Sequence, residues 1–202
     1  TGWQPGEVLL DPMCGSGTFL IEAAQMALDI APGLGRGFAF ERLRIHDRTA
    51  WAAQRRAAEQ RRKPARVLPV FGSDVVGEWV RRSRMNLDAA GLADCVRLDR
   101  ADVLERTPPA AAGVMVANPP YGVRIGEAEE LLAFYPRLGD ALKQRWGGWR
   151  CYLFSADPEL PKRIGLKATR RTPLFNGALE CRLFEYRMVA GSNRERAPRP
   201  QE

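Results

Sequence analysis

The stretch of sequence that decides the fold reads Gly113-Val114-Met115-Val116-Ala117-Asn118-Pro119-Pro120-Tyr121-Gly122. Its first five residues form an apolar run with the length and composition of a buried parallel strand. Open α/β sheets bind their ligands at the carboxyl ends of the strands, and the run delivers Asn118 to that end. The two prolines fix φ at about −65° and remove two amide donors, so no strand or helix continues through them. We therefore predict an α/β fold with a rigid polar turn at a strand end.

This turn presents two hydrogen-bond acceptors beside an aromatic ring. The side-chain oxygen of Asn118 and the carbonyl of Pro119 can accept the two hydrogens of an exocyclic amine, and Tyr121 can stack on a planar ring. A proline-rich turn that only ends a strand explains the same residues equally well. The rest of the chain has to decide between these two interpretations.

A glycine loop follows the first predicted strand. The apolar residues Val8–Leu10 lead into Asp11-Pro12-Met13-Cys14-Gly15-Ser16-Gly17-Thr18, and a predicted helix comes next. Two glycines allow positive φ and a close approach of the backbone to a ligand. The Gly-Lys-Ser/Thr ending of phosphate loops is absent, and Asp11 would repel a polyphosphate. We expect Asp11 either to orient the loop or to face a cationic or amino-bearing ligand.

Two further acids lie at predicted strand ends. We expect one strand over residues 65–71, which leads to Asp74, and another over residues 95–98, which leads to Asp102. In doubly wound folds an acid at the end of the second strand holds ribose hydroxyls. Each aspartate can instead cap a helix, which for Asp74 is the helix predicted over residues 76–90.

The remaining elements complete one sheet. Asp47 is expected to cap a helix that runs to about Arg62, and a helix over residues 127–146 should start late or bend at Pro136. A strand over residues 150–155 and a short helix over 158–164 precede a hairpin, whose strands over 168–174 and 180–189 flank Asn176-Gly177. We predict a mostly parallel sheet in a domain of residues 1–189, followed by a disordered basic tail over 190–202.

Composition narrows the class of protein. The 202 residues suffice for one α/β domain, and no apolar run reaches membrane-spanning length. Four scattered cysteines and one histidine form no zinc pattern, so we expect no metal and a cytoplasmic protein with reduced cysteines. The net charge of +7 indicates a polyanionic partner, although arginine-rich helices are often only solvated surfaces. Because the chain opens directly on a strand, we expect a domain taken from a longer protein.

The four strand ends together resemble the class I S-adenosylmethionine-dependent methyltransferases, a Rossmann-like fold of seven strands with helices on both faces and an antiparallel C-terminal strand. The resemblance extends from residue 8 to residue 189. It implies that Asn118, Pro119, Pro120 and Tyr121 form the catalytic motif of amino-methyltransferases. It also implies a binding site for S-adenosylmethionine, with Asp74 at the ribose, Asp102 beside adenine and the glycine loop at the methionine part. The implied cofactor-binding residues are Asp11, Pro12, Met13, Gly15, Gly17, Thr18, Asp74, Asp102 and Asn118.

A longer set of motifs resembles the THUMP-associated RNA guanine-N2 methyltransferases, above all their bacterial RlmL type. The set comprises residues 11–24, 31–34, the helix around Trp51, residues 118–122, residues 174–177 and residues 181–183. The resemblance implies methyl transfer to N2 of a guanosine in large-subunit (23S) ribosomal RNA, with S-adenosylhomocysteine as product. It further implies an N-terminal THUMP-type RNA-binding domain in the full-length protein.

Three alternatives stay open. A DNA adenine-N6 methyltransferase would use the same polar turn, and the acceptor that receives the methyl group would distinguish it. A protein glutamine methyltransferase shares the Asn-Pro-Pro-Tyr sequence, although the basic surface favours RNA. Lastly, the chain can be a fragment that binds cofactor or RNA without turnover of its own.

Overall fold

The computed structural model describes residues 1–120 and 128–189, apart from the side chains of residues 128–132. The strands are β1 (Leu9–Asp11), β2 (Val70–Asp74), β3 (Arg97–Arg100), β4 (Gly113–Ala117), β5 (Trp149–Ser155), β6 (Arg170–Asn176) and β7 (Leu179–Arg187). The helices are α1 (Thr18–Ala27), α2 (Arg48–Arg61), α3 (Gly77–Ala89), α4 (Ala128–Arg145) and α5 (Leu160–Arg163). Short 3-10 turns span Ala39–Arg42 and Ala93–Cys95. No helix in this described part of the chain has the length and apolarity needed to cross a membrane.

The seven strands of the described residues form one sheet in the order β3-β2-β1-β4-β5-β7-β6. Neighbouring strands from β3 to β5 pair in parallel, whereas β7 pairs antiparallel with both β5 and β6. Strand β7 is therefore the reversed strand of an otherwise parallel sheet. This architecture confirms the predicted Rossmann-like fold.

Side chains of the central strands alternate between two hydrophobic clusters, one on each face of the sheet. Leu9 and Val114 join α1 and α3 in one cluster, while Leu10 and Met115 join α4 and α5 in the other. This alternation follows from the two-residue period of a strand. The central strands are thus buried on both faces, as a parallel sheet requires, and their carboxyl ends emerge at one edge.

Strands β2 and β3 begin later than predicted. Residues 65–67 are exposed, and β2 starts only at Val70, because Pro69 has no amide hydrogen to donate to a neighbouring strand. Strand β3 begins at Arg97 because a 3-10 turn occupies Ala93–Cys95. Strand β2 also ends later than predicted, and Asp74 is itself its last residue.

The structure also tests the predicted helix around Pro136 and the predicted C-terminal hairpin. Helix α4 begins at Ala128 with Pro136 inside it, so the helix does not start late at the proline, and the alternative of a bend there stays a prediction. The hairpin is confirmed, but β6 covers Arg170–Asn176 and its loop is Gly177-Ala178, with the positive φ of 61° at Gly177 that such a two-residue loop requires. Tyr121, Gly122 and the predicted tail over 190–202 lie outside the described residues.

Candidate active site

The glycine loop joins the end of β1 to the start of α1. Gly15 and Gly17 have φ values of 51° and 84°, which a residue with a side chain adopts only with strain. The Gly17 amide donates to the Cys14 carbonyl over 2.8 Å and closes the loop. No side chain caps α1, so the amides of its first turn remain available to a ligand.

Helix α3 holds this loop from behind through two side chains. The Ser83 hydroxyl donates to the Gly15 carbonyl over 2.8 Å, and the Asn86 amide donates to the Ser16 carbonyl over 2.9 Å. A Cβ atom at Gly17 would lie only 2.9 Å from Ser83 Oγ, so the loop and α3 are in close contact. Sequence reasoning did not find Ser83 and Asn86, since each lies about seventy residues from its partner and belongs to no motif.

Asp74 connects β2 to the same loop. One carboxylate oxygen accepts from the Gly15 amide over 3.1 Å, and the other accepts from the Val76 amide over 3.0 Å. Helix α3 starts at Gly77, its N-cap residue is Val76, and no side chain caps it. The interpretation of Asp74 as the helix cap is therefore wrong. Its carboxylate instead orients the glycine loop at the end of β2.

Asp11 is a buried carboxyl group beneath the loop. It is 2% exposed, and one of its oxygens accepts from the Met13 amide over 3.2 Å. Burial raises the pKa of Asp11 to about 8; the Met13 amide opposes this rise and the charge of Asp74 adds to it. Two carboxyl groups behind one loop favour a cationic or amino-bearing ligand and oppose a polyphosphate. The buried acids thus fit S-adenosylmethionine, whose sulfonium and amino groups are positive.

The polar turn after β4 is anchored from α4. Asn118 is exposed and Pro119 is buried, while the Tyr135 hydroxyl donates to the Pro120 carbonyl over 2.7 Å. Desolvation, with a smaller contribution from Asp157, raises the pKa of Tyr135 to about 12 and keeps the hydroxyl protonated. Tyr135 is a third residue of the site, after Ser83 and Asn86, that no sequence motif indicated.

A cavity of about 820 Å³ brings the loop and the turn together. Asp11, Met13, Gly15, Thr18 and Asn118 line it from the strand ends. The tip of the β6–β7 hairpin lines it from the other side with Leu174, Phe175 and Asn176. Phe175 is 72% exposed at this position, an unusual exposure for an aromatic residue beside a cavity.

Asp102 is not brought into this cavity. It lines a separate cavity of about 920 Å³ together with Phe71, Asp99 and Arg106, and one of its oxygens accepts from the Leu104 amide over 2.8 Å. No helix follows it before β4, so the interpretation of Asp102 as a helix cap is wrong. Pro12, Gly17 and Asp74 support the loop but do not line the Asn118 cavity.

The described residues offer no cluster of metal ligands. Within residues 1–120 and 128–189, no group of three or more His, Cys, Asp or Glu side chains is arranged to hold a metal ion. All four cysteines are buried and free, and burial raises the pKa of Cys14 to about 11, so this thiol beside the loop is not a nucleophile at neutral pH.

Residues 1–185 match the profile of the UPF0020 family, which is described as an RMKL-like methyltransferase domain. The chain belongs to this family. The match confirms the resemblance drawn from the glycine loop and the Asn118 turn. In this methyltransferase domain, the buried Asp11 and the Asn118 turn line the same cavity.

Known proteins similar to this chain in sequence or structure are also named as methyltransferases or methylases. A ribosomal RNA large subunit methyltransferase K/L of Shewanella baltica (strain OS185) is 42% identical over 206 residues, which cover 98% of this chain and 29% of that protein. The chain therefore spans less than a third of the length of this relative. The solved structure of SMU.472, a putative methyltransferase complexed with SAH, is 31% identical with a TM-score of 0.85, covering 93% of this chain and 50% of that one. A predicted N6-adenine-specific DNA methylase from Listeria monocytogenes str. 4b F2365 is 31% identical with a TM-score of 0.81, covering 93% and 48%.

Proposed function

We propose that the domain transfers the methyl group of S-adenosylmethionine to N2 of a guanosine in large-subunit (23S) ribosomal RNA and leaves S-adenosylhomocysteine. The observation that carries the proposal is that Asn118 opens into the same cavity as Asp11, Met13 and Gly15 of the glycine loop. A ligand on the loop and an amine at Asn118 therefore meet in one cavity. The name of the Shewanella baltica methyltransferase K/L supports large-subunit ribosomal RNA as the substrate, and the SAH in the SMU.472 structure supports the cofactor. The choice of N2 of guanosine is our proposal.

The loop side of the cavity suits the cofactor. When bound, S-adenosylmethionine supplies an electrophilic methyl group on a positively charged sulfur. The Asp74 carboxylate lies behind the loop with the buried Asp11 beside it, and the open first turn of α1 offers amide donors. A cationic ligand at the loop would favour the ionised form of Asp11. Gly15 has open space where a Cβ would lie, so the backbone can approach the ligand closely.

The turn side suits an exocyclic amine. The guanine N2 is a poor nucleophile because its lone pair is delocalised into the ring. If the Asn118 side-chain oxygen and the Pro119 carbonyl accept its two hydrogens, the lone pair is directed at the methyl group, and most of the rate comes from proximity and orientation. The base has to leave its stack to reach the cavity, where Phe175, and Tyr121 as the sequence predicts, would stack on it.

Asn118→Ala tests this function. We expect the dissociation constant of S-adenosylhomocysteine, measured by calorimetry, to stay within about twofold, and tritium transfer to ribosomal RNA to fall roughly 100-fold or more. Gln144→Ala, which removes an exposed amide from α4, is the matched control and should behave as wild type. Turnover by Asn118→Ala equal to that of wild type would sink the assignment.

A second function, adenine-N6 methylation of DNA, uses the same turn. It is favoured by the 31% identity to the predicted Listeria DNA methylase. Tritiated cofactor separates the two, since label should enter guanine of RNA and not adenine of DNA. Cofactor binding without label in either acceptor would instead identify a fragment that lacks turnover of its own.

The proposal also includes the partner of the domain, a further domain and the location of the protein. Ribosomal RNA is the expected partner, and a THUMP-type domain is expected elsewhere in a full-length protein. A cytoplasmic location stays a prediction. Asp74 at the ribose and Asp102 beside adenine likewise stay predictions, which substitution of each residue with a binding measurement would test.

A further inference from the structure

We propose that residues 29–66, called the insertion below, bind the phosphate backbone of RNA at a surface separate from the Asn118 cavity. The insertion joins α1 to β2 and contains α2. The proposal rests on the proposed function, because it assumes an RNA substrate, and it adds a second contact by which that substrate is held.

Charge is the first observation. The insertion contains ten basic and four acidic residues and so carries a net +6, whereas the rest of the chain has 21 basic and 20 acidic residues. Nearly all of the net charge of +7 thus comes from less than a fifth of the sequence. Such concentration of positive charge is the electrostatic footprint of a protein that contacts phosphates.

The cations of the insertion are exposed and largely unpaired. Helix α2 has no buried residue, and Arg48, Arg56 and Arg62 form no ion pair with any residue that the structure describes. Arg81 and Arg82 of α3, in contrast, share Glu78. An unpaired exposed guanidinium loses no protein partner when it meets a phosphate, and the released counterions favour binding.

The helix that carries these cations is held in place. Asp47 caps it by accepting from two amides over 2.9 Å, and Trp51 packs edge-on against Phe38 and Phe40 at centroid distances of 5.6 and 4.9 Å. The Arg55 guanidinium also donates to the Leu34 carbonyl over 3.0 Å. The cations are therefore displayed on an ordered surface, so less conformational entropy is lost on binding than with a flexible basic tail.

The position of the insertion separates it from the site of chemistry. The Asn118 cavity follows α1 as far as Met26, but no residue of the insertion lines it, and the insertion begins beyond the end of α1 at Ala27. The Lys63 amide donates to the Leu28 carbonyl over 2.8 Å, which fixes the end of the insertion at the far end of α1. The surface thus contacts nucleotides other than the acceptor, and it should act on RNA affinity and not on the methyl-transfer step.

The test is a matched pair of triple variants in the whole chain. Arg48→Gln/Arg56→Gln/Arg62→Gln removes three charges from the insertion. Arg84→Gln/Arg137→Gln/Lys167→Gln removes three exposed, unpaired charges from elsewhere among the described residues. Affinity for a fluorescein-labelled RNA hairpin of 23S sequence is measured by anisotropy between roughly 50 and 200 mM salt, with a DNA duplex of equal length alongside. Circular dichroism checks folding, and calorimetry with S-adenosylhomocysteine checks the cavity.

We expect the insertion variant to bind the RNA roughly tenfold more weakly, and its salt slope to fall by about 2 to 3. The control variant should stay within about twofold of wild type, and both should bind S-adenosylhomocysteine normally. Equal losses in the two variants, a loss confined to the DNA duplex, or no measurable RNA affinity of the wild type at low salt would overturn the proposal. If the wild type itself does not bind S-adenosylhomocysteine, the proposed function is overturned instead.

Discussion

The hydroxyl of Tyr135 in α4 donates a hydrogen bond of 2.7 Å to the carbonyl of Pro120 in the turn after β4. Tyr135 is 3% exposed and packs in the hydrophobic cluster on the α4 side of the sheet. The bond therefore ties the polar turn to the core. It also engages the Pro120 carbonyl, so the Pro119 carbonyl is the one left to an acceptor amine.

Tyr135→Phe should loosen this turn without disturbing the glycine loop. We expect turnover to fall roughly tenfold, because misplaced acceptor groups reduce the rate, while the affinity for S-adenosylhomocysteine stays unchanged. Tyr186→Phe is the matched control, since its buried hydroxyl has no hydrogen-bond partner among the described residues. Initial rates and calorimetry on both variants make the comparison; equal turnover in the two would mean that Tyr135 is structural only.

Ser83→Ala/Asn86→Ala should release the glycine loop from α3. Both side chains bind loop carbonyls, so we expect S-adenosylhomocysteine to bind roughly tenfold more weakly, about 1.4 kcal/mol. Arg84→Ala/Asp88→Ala changes two exposed residues of the same helix and preserves the net charge, and it should bind normally. Calorimetry decides, and undiminished affinity in the first variant would contradict a positioning role for α3.

Gly17→Ala should destabilise the protein more than Gly15→Ala. Both residues have positive φ, but the new Cβ at position 17 would clash with Ser83, while that at position 15 meets no atom within 4 Å. We therefore expect Gly17→Ala to lower the free energy of unfolding by about 2 kcal/mol and Gly15→Ala by about 1 kcal/mol. Thermal unfolding of both variants checks the order; the reverse order would show that the loop packs differently against α3.

The buried Asp11 should make the ligand-free protein less stable as pH rises. Its folded-state pKa of about 8 lies above the ordinary aspartate value of 3.8, so between these values the folded state binds more protons than the unfolded state. Its contribution to the free energy of unfolding then falls by up to about 1.4 kcal/mol per pH unit. Asp11→Asn should lose this dependence, whereas Asp94→Asn, an exposed carboxyl group, should keep it. Urea unfolding from pH 4 to pH 8 measures it, and identical profiles for wild type and Asp11→Asn would contradict the burial effect.

The order and type of the elements were predictable because the central strands carry apolar runs and the turns carry glycine and proline. The glycine loop and Asn118 could be placed together, since the carboxyl ends of parallel strands share one edge. The start of β2 could not, because Val67 and Leu68 continue the apolar run before Pro69, whereas pairing with β1 and β3 begins only at Val70 and Phe71.

Contacts between distant parts of the chain were beyond prediction. Ser83 reaches Gly15 across 68 positions. No motif around Tyr135 indicates that its hydroxyl donates to the Pro120 carbonyl. Asp102 follows β3 at the edge where the Ala101 amide donates to the Asp74 carbonyl, but it lines a cavity apart from Asn118, so its place beside adenine stays a prediction.

Neither hydrophobic cluster includes a residue between 31 and 66. Substitutions across most of the insertion therefore leave the packing of the sheet untouched. Folding and the proposed RNA contact therefore depend on different residues of the chain. The charge of this segment can be redesigned without altering the core that positions the Asn118 cavity.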